Sequence, residues 1–305
     1  MTTSLDPNIT DVALIFEGGG MRAAYTAAVV TRLLEEGINF GAVYGISAGS
    51  SHTVNYVSRD SERARASFTD LVLDPKFGGW KSMIRGTGFF NGPYLYEGIT
   101  AELEGTNEVF AFDYDTFATN PAQVHIESFD CNSGETLVFA KKDMPNTYEL
   151  MRRVRASSSM PLFMPSIEID GRTCLDGGMG SSWGIPLQAA RNDGFERFFI
   201  VRTQEKTYRK KPLNPLVAQL FKTVFKKQPA VAQATINRWR HYNALSDHIK
   251  ALEAQGKAYV FYPETMTLSN KTVDYEQLEA AYDQGRAQTQ RELDAWISWL
   301  QTPTC

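Results

Sequence analysis

Apolar runs and polar gaps divide this chain into elements. "DVALIFEGG" (residues 11–19) is an apolar run closed by an acid and glycines, and it predicts a buried strand. "MRAAYTAAVVTRLLEEG" follows with helical spacing: Ala23, Ala27, Val30 and Leu34 share one face, and Gly37 supplies a C-terminal stop. "AVYGIS" reads as a second strand and "AGSSHTVNYVSRD" as a second helix. That order implies right-handed crossovers and a parallel sheet, with the small alanines letting the first helix pack close to it.

The middle is less regular. "FGGWKSMIRGTGFFNGPYLY" is rich in glycine and aromatics and is expected to be an irregular loop reaching the surface. "AQVHIESFD" and "ETLVFA" predict a hairpin turning at "CNSG", "NTYELMRRVRASSS" a helix, and "SIEID" with "RTCLDGG" a short strand pair turning at Asp170-Gly171. "PLQAARNDG" reads as a helix with proline in its first turn, and "FERFFIVRT" as a buried strand. The tail begins with the basic "YRKKPLNPLVAQLFKTVFKKQ", interrupted by Pro212 and Pro215. A long polar helix around "RWRHYNALSDHIKALEAQG", a strand "AYVFYPE" and a last helix "DYEQLEAAYDQGRAQTQRELDAWISWL" follow. The late strand is expected to fold back onto the main sheet. With no repeat and no low-complexity linker, residues 1–205 read as a core and 206–305 as a helical extension packed on it, together one structural domain.

Composition narrows the class. A chain of 305 residues with 43% hydrophobic and 22% charged residues can bury a core, and a net charge of −4 gives no case for nucleic-acid binding. No apolar run is long enough to span a bilayer, and "MTTSLDPNITD" lacks the features of a secretion signal. Cys131, Cys174 and Cys305 suggest neither a disulfide framework nor zinc spacing, so the expected setting is reducing and cytoplasmic. No cluster has metal-ligand spacing, and no metal or cofactor is expected.

Chemistry concentrates in three stretches. In "YGISAGS", Ser47 stands at a strand tip between Gly45 and Gly49; this spacing suits a tight strand-to-helix turn that exposes a nucleophilic hydroxyl, though a plain Gly/Ser turn reads the same way. In "EGGGMRAA", Gly18, Gly19 and Gly20 can offer converging N–H groups to an oxyanion, or cradle a phosphate. The Walker and dinucleotide signatures are both incomplete. Arg22 either orients this loop, meets an anionic head group, or is a surface arginine. In "CLDGG", Asp176 before Gly177 and Gly178 is either a carboxylate base raised by a dry site or an ordinary Asp-Gly turn. Histidine bases are poorly placed. His241 and His248 lie on a polar helix, His52 follows Ser47 on its own helix, and His125 sits within a strand.

Taken in order, "EGGGMRAA", "GISAGS", "RASSSMPLFMPS" and "LDGG" resemble the patatin-like phospholipase family over the first two-thirds of the chain. The tail is similar to extensions in a bacterial branch of it. The resemblance implies a three-layer α/β/α sandwich with a mostly parallel sheet, and a serine lipid acyl hydrolase acting through an acyl-enzyme without histidine. It implies Ser47 as nucleophile, Asp176 as base and Gly18 to Gly20 as the oxyanion loop. Ala23 stands where many members carry glycine. Two other readings compete: an α/β-hydrolase-type esterase using His241 or His248, and a lipid-binding or regulatory protein on the same scaffold.

One further pattern bears on partners. Between Arg202 and Lys227 the bases are Arg202, Lys206, Arg209, Lys210, Lys211, Lys222, Lys226 and Lys227, against Glu205 alone. Leu216, Val217, Leu220, Phe221, Val224 and Phe225 form an apolar stripe among them. A basic amphipathic helix can lie on an anionic membrane, but the expectation is that the stripe packs on the core.

Overall fold

The computed structural model describes residues 5–106 and 108–302; Cys305 lies outside them. In chain order the elements are β1 (Val12–Phe16), α1 (Ala23–Glu35), β2 (Ala42–Ile46), α2 (Ala48–Val57), α3 (Ser61–Ala66), α4 (Trp80–Ile84), α5 (Ile99–Glu102) and α6 (Tyr114–Thr119). Then come β3 (Gln123–Asp130), β4 (Thr136–Phe139), α7 (Thr147–Ser158), β5 (Ile167–Ile169), β6 (Arg172–Asp176), α8 (Leu187–Asn192) and β7 (Arg197–Val201). The chain closes with α9 (Pro215–Val224), α10 (Pro229–Ala254), β8 (Ala258–Phe261) and α11 (Tyr275–Gln301).

The strands form one sheet in the order β5-β6-β3-β2-β1-β7-β8, with β4 also paired to β3. The pairs joining β3, β2, β1, β7 and β8 are parallel, and those involving β4, β5 and β6 are antiparallel. Side chains of a strand alternate between faces, and β1 shows what each face meets. Val12, Leu14 and Phe16 join a core that includes Val30 and Leu33 of α1, Val54 of α2, Val154 of α7 and Trp296 of α11. Ala13 and Ile15 join a second core with Leu187 of α8 and Tyr242 and Ile249 of α10. Helices thus cover both faces, the three-layer sandwich that the family resemblance implied. Both faces being apolar explains why β1, β2 and β7 read as unbroken hydrophobic runs rather than as alternating ones.

Two expectations change here. The glycine- and aromatic-rich stretch after Phe77 is partly helical, containing α4 and, just beyond, a π-helical turn at Tyr94–Gly98 that runs into α5. Phe77 and Phe90 of this stretch, and Ile99 of α5 beyond it, are buried in the core, which gives a non-periodic sequence the burial that helical spacing did not advertise. The alanine face of α1 meets α11 as well as the sheet: a Cβ on Gly285 would press on Tyr25 O and lie 2.9 Å from the Ala28 Cβ. The late strand β8 does extend the sheet, in parallel register with β7. Cys131 and Cys174 are buried free thiols.

Candidate active site

Ser47 follows β2 directly and precedes the first residue of α2, with φ +56° and ψ −128°, a region that L residues rarely occupy. This strained turn aims the hydroxyl out of the sheet. The flanking glycines are required by close approach: a Cβ on Gly45 would collide with Gly49 O and the Thr53 hydroxyl, and one on Gly49 with Phe16 O. The Ser47 N–H donates to Ser157 Oγ at 2.9 Å, and its carbonyl accepts from Ser50 N and Ser50 Oγ.

Asp176 reaches the same point through β3. Ile46, the last residue of β2, is in register with Glu127, and Asp176, the last of β6, with Ser128. The β4 pairing overlaps both, so β2 and β6 share one edge of β3 and meet end to end. Successive residues of a single strand therefore bring Ser47 and Asp176 together. Ser47 and Asp176 line one cavity, where the Ser47 hydroxyl favours the charged form of the Asp176 carboxyl. Asp176 N donates to Ser159 O at 2.8 Å, and the Gly178 N–H donates to Asp176 Oδ1 at 2.7 Å. Burial raises the carboxyl above its ordinary pKa, opposed by the Arg238 charge, the Ser47 hydroxyl, the Gly178 N–H and Lys210.

The glycine loop lies opposite. The Gly18 N–H donates to Gly184 O at 3.0 Å, so it is spent inside the protein and is not available to an oxyanion. This corrects the expectation of three donors: of the three glycines, Gly19 and Gly20 are the ones whose N–H groups have no backbone partner. Below the loop, Glu17 is buried in a network. It accepts from Arg202 Nε at 2.8 Å, Thr203 N at 2.7 Å and Tyr242 Oη at 2.6 Å. Burial pushes its pKa up, but the Arg202 charge and these donors outweigh burial and hold it low.

Two cavities meet at Ser47, and both are lined by Gly20, Ser47 and Met160. One, of about 90 Å³, is apolar, walled by Phe68, Leu71, Phe90, Leu95, Ile99 and Met164 among others. The second, of about 440 Å³, is the more polar of the two and is lined by Asp176, Arg22, Lys210 and Arg238 beside apolar side chains such as Phe163 and Leu213.

No histidine lines either cavity. His52 packs between Phe16 and Phe68 and contacts Thr26 Oγ1 at 3.0 Å; burial drops its pKa to about 3. His125 Nε2 lies 3.1 Å from Glu127 Oε1. His241 is exposed and stacked on Trp183, and exposed His248 accepts from Arg191. The esterase alternative is thereby left without a base. Among the described residues, no three His, Cys, Asp or Glu could hold a metal ion together.

Several contributors escaped sequence reasoning. Ser157 and Ser159 hold the backbones of Ser47 and Asp176, and their signal was the "RASSS" block. Lys210 stood unremarked in the basic run. Arg238 had no signal at all, being one base on a polar helix.

The basic stripe departs from expectation. On α9 only Phe221 is buried; Leu216 is 81% exposed, Leu220 50% and Val224 51%. Phe221 stacks on Phe225, which anchors the helix to a small cluster around Phe129 and Val231. That anchor uses one edge of the stripe and leaves the rest in solvent. The bases are also divided: Arg202 is buried on Glu17, Lys206 pairs with Glu253 and Arg209 with Asp247. Lys211, Lys222, Lys226 and Lys227 are exposed.

The model of the patatin-like phospholipase family matches residues 14–191, and that of a domain of unknown function (DUF6363) matches 228–301. The uncharacterized protein YjjU of Escherichia coli K12 is 24% identical over 201 residues, 63% of this chain and 52% of that protein. The chain thus spans about half the length of this curated relative. The crystal structure of VipD from Legionella pneumophila superposes with a TM-score of 0.49 at 12% identity, over 93% of this chain and 67% of that one. With the family model covering 178 of its 305 residues, from 14 to 191, this chain belongs to the patatin-like phospholipase family.

Proposed function

We propose that the protein is a serine lipid acyl hydrolase working through a Ser47–Asp176 dyad. The observation that carries this reading is the strained Ser47, set beside the buried Asp176 carboxyl and standing where an apolar and a more polar cavity meet. An ester whose acyl chain enters the apolar cavity would present its carbonyl at Ser47. Ser47 Oγ attacks the carbonyl carbon while its proton passes to Asp176. The oxyanion is held by Gly19 and Gly20 N–H and by the N-terminal end of α2, whose dipole favours negative charge. Collapse breaks the ester C–O bond, and the alcohol leaves with the proton from Asp176. Water then gives a proton to Asp176 and attacks the acyl-enzyme, releasing the fatty acid and restoring Ser47. The raised pKa of Asp176 suits a carboxylate acting as base and then as acid.

The surface suggests how lipid is met. The exposed apolar side chains of α9 lie beside Lys222, Lys226 and Lys227, and Val217 and Phe221 also line the polar cavity. In this reading α9 docks on an anionic lipid surface with the cavity mouth facing it. No helix among the described residues is long and apolar enough to cross a membrane. We read residues 1–205 and 206–305 as one structural domain, since β8 and α11 complete the sheet and its cover.

The test is a hydrolysis screen across phospholipids, lysophospholipids and short soluble esters. Wild-type protein should hydrolyse at least one class, and Ser47→Ala should hydrolyse none. Equal turnover by Ser47→Ala would remove the nucleophile assignment.

A further inference from the structure

The polar cavity carries more positive charge than the hydrolytic chemistry uses. Arg22, Lys210 and Arg238 all line it with Ser47. Among the described residues none of the three forms an ion pair. Glu17 is the nearest candidate acid, but its carboxylate is occupied by Arg202, Thr203 and Tyr242. Asp176 is the remaining acid in the lining, so the three cations face it and a Glu17 already bound to Arg202. The Nε atoms of Arg22 and Arg238 are buried with no acceptor.

Such a cluster repels itself. Lys210 faces the guanidinium groups of Arg22 and Arg238, the carboxylates of Glu17 and Asp176, and the rings of Tyr208 and Tyr242. Burial, then the charges of Arg238 and Arg22, depress its pKa to about 7. The arrangement is nevertheless built in. Lys210 is fixed by a reciprocal pair with Asn243, its N–H donating to Asn243 Oδ1 and its carbonyl accepting from Asn243 Nδ2, both at 2.9 Å. The Arg238 guanidinium rests against two glycines: a Cβ would lie 2.6 Å from Nη2 at Gly178 and 2.8 Å from it at Gly184. Uncompensated charge held at a fixed place is unfavourable unless an anion neutralises it.

We propose that Arg22, Lys210 and Arg238 form a subsite for a phosphomonoester head group on the acyl-ester substrate, with Lys210 and Arg238 as its specificity-determining residues. Both lie beyond the patatin-matched residues 14–191, so the C-terminal segment supplies selectivity to a site whose nucleophile is in the core. The excess of cations over acids favours a group carrying close to two charges near neutral pH, as a phosphomonoester does. The proposal rests on the acyl-hydrolase reading for the position of the acyl chain, but its test does not need turnover.

Equilibrium binding to the Ser47→Ala protein would be measured with a short-chain 1-acylglycerol 3-phosphate, with the matching neutral 1-acylglycerol, and with inorganic phosphate. The phosphorylated lipid should bind at least about tenfold more tightly than the neutral one, given what a charged hydrogen bond contributes. Adding Lys210→Met or Arg238→Met should erase that preference, Lys210→Arg should retain it, and inorganic phosphate should compete with the phosphorylated lipid. The neutral lipid is the internal control for folding. Equal affinity for the two lipids, or a preference surviving in both methionine variants, overturns the proposal. Phosphate binding that depends on Lys210 without any preference between the lipids also overturns it, in favour of a free-anion site. A protein that binds as expected yet hydrolyses nothing would overturn the acyl-hydrolase reading alone.

Discussion

Asp176 is where chemistry and stability pull in opposite directions. In the proposed mechanism Asp176→Asn removes the proton acceptor, and the expected loss is roughly 10²–10⁴-fold in kcat, the range of general-base catalysis. In the wild type, kcat/KM for a neutral soluble ester should rise with pH through a midpoint above the ordinary carboxylate range, because burial raises this carboxyl. The same shift has a stability consequence. A carboxyl whose folded pKa exceeds its unfolded one favours the fold while protonated, and that contribution is lost as pH rises from the unfolded value through the folded one. Asparagine does not titrate there. The Tm of Asp176→Asn minus that of wild type should therefore grow as pH is raised across that window, measured by calorimetry in matched buffers. A difference that shrinks with rising pH would contradict the burial argument. At this scale much of the site was legible: Ser47, Asp176, Gly45 and Gly49 each stand in a local pattern with a steric cause. The Gly18 donor was misjudged because its partner, Gly184, is 166 residues away in sequence. Arg238 was invisible for a similar reason, since its place in the cavity lining depends on how α10, far along the chain, packs there.

Among the elements, the strands were the easiest to read. Buried parallel strands such as β1 and β7 are unbroken apolar runs, and turn residues bracket the β5–β6 hairpin. α9 was the clearest misreading. Its spacing gave an amphipathic helix correctly, but spacing alone cannot say whether an apolar face meets protein or lies open. Only Phe221 of that helix is buried. If α9 docks on lipid, replacing Lys222, Lys226 and Lys227 with glutamate should weaken binding to phosphatidylserine-containing vesicles. Each basic residue near such a surface contributes about 1 kcal/mol, so loss of three corresponds to about a 100-fold fall in partitioning. Hydrolysis of a short soluble ester should be unaffected, and added salt should mimic the substitution. Unchanged vesicle sedimentation in the triple variant would show that α9 does not dock through its charge.

The whole molecule joins two sequence segments around one sheet. β7 lies between β1 and β8, α11 covers α1, and Glu17 is bound by Arg202 and by Tyr242 of α10. These contacts make residues 1–205 and 206–305 expected to unfold together, with equal calorimetric and van't Hoff enthalpies; two resolved transitions would divide the chain into independent units. The parallel sheet and its helices were legible because apolar runs and helical spacing report elements directly, while the three-layer arrangement was implied by the family resemblance. The coupling of the tail to the active site was not, because it consists of single polar contacts between residues far apart in sequence. What this assembly is for depends on the reactivity of one hydroxyl. A fluorophosphonate probe should add covalently to the native protein, with the adduct mapping by mass spectrometry to the peptide containing Ser47, and Ser47→Ala should remain unlabelled. An adduct on another residue, or undiminished labelling of Ser47→Ala, would contradict the assignment of Ser47 as the nucleophile.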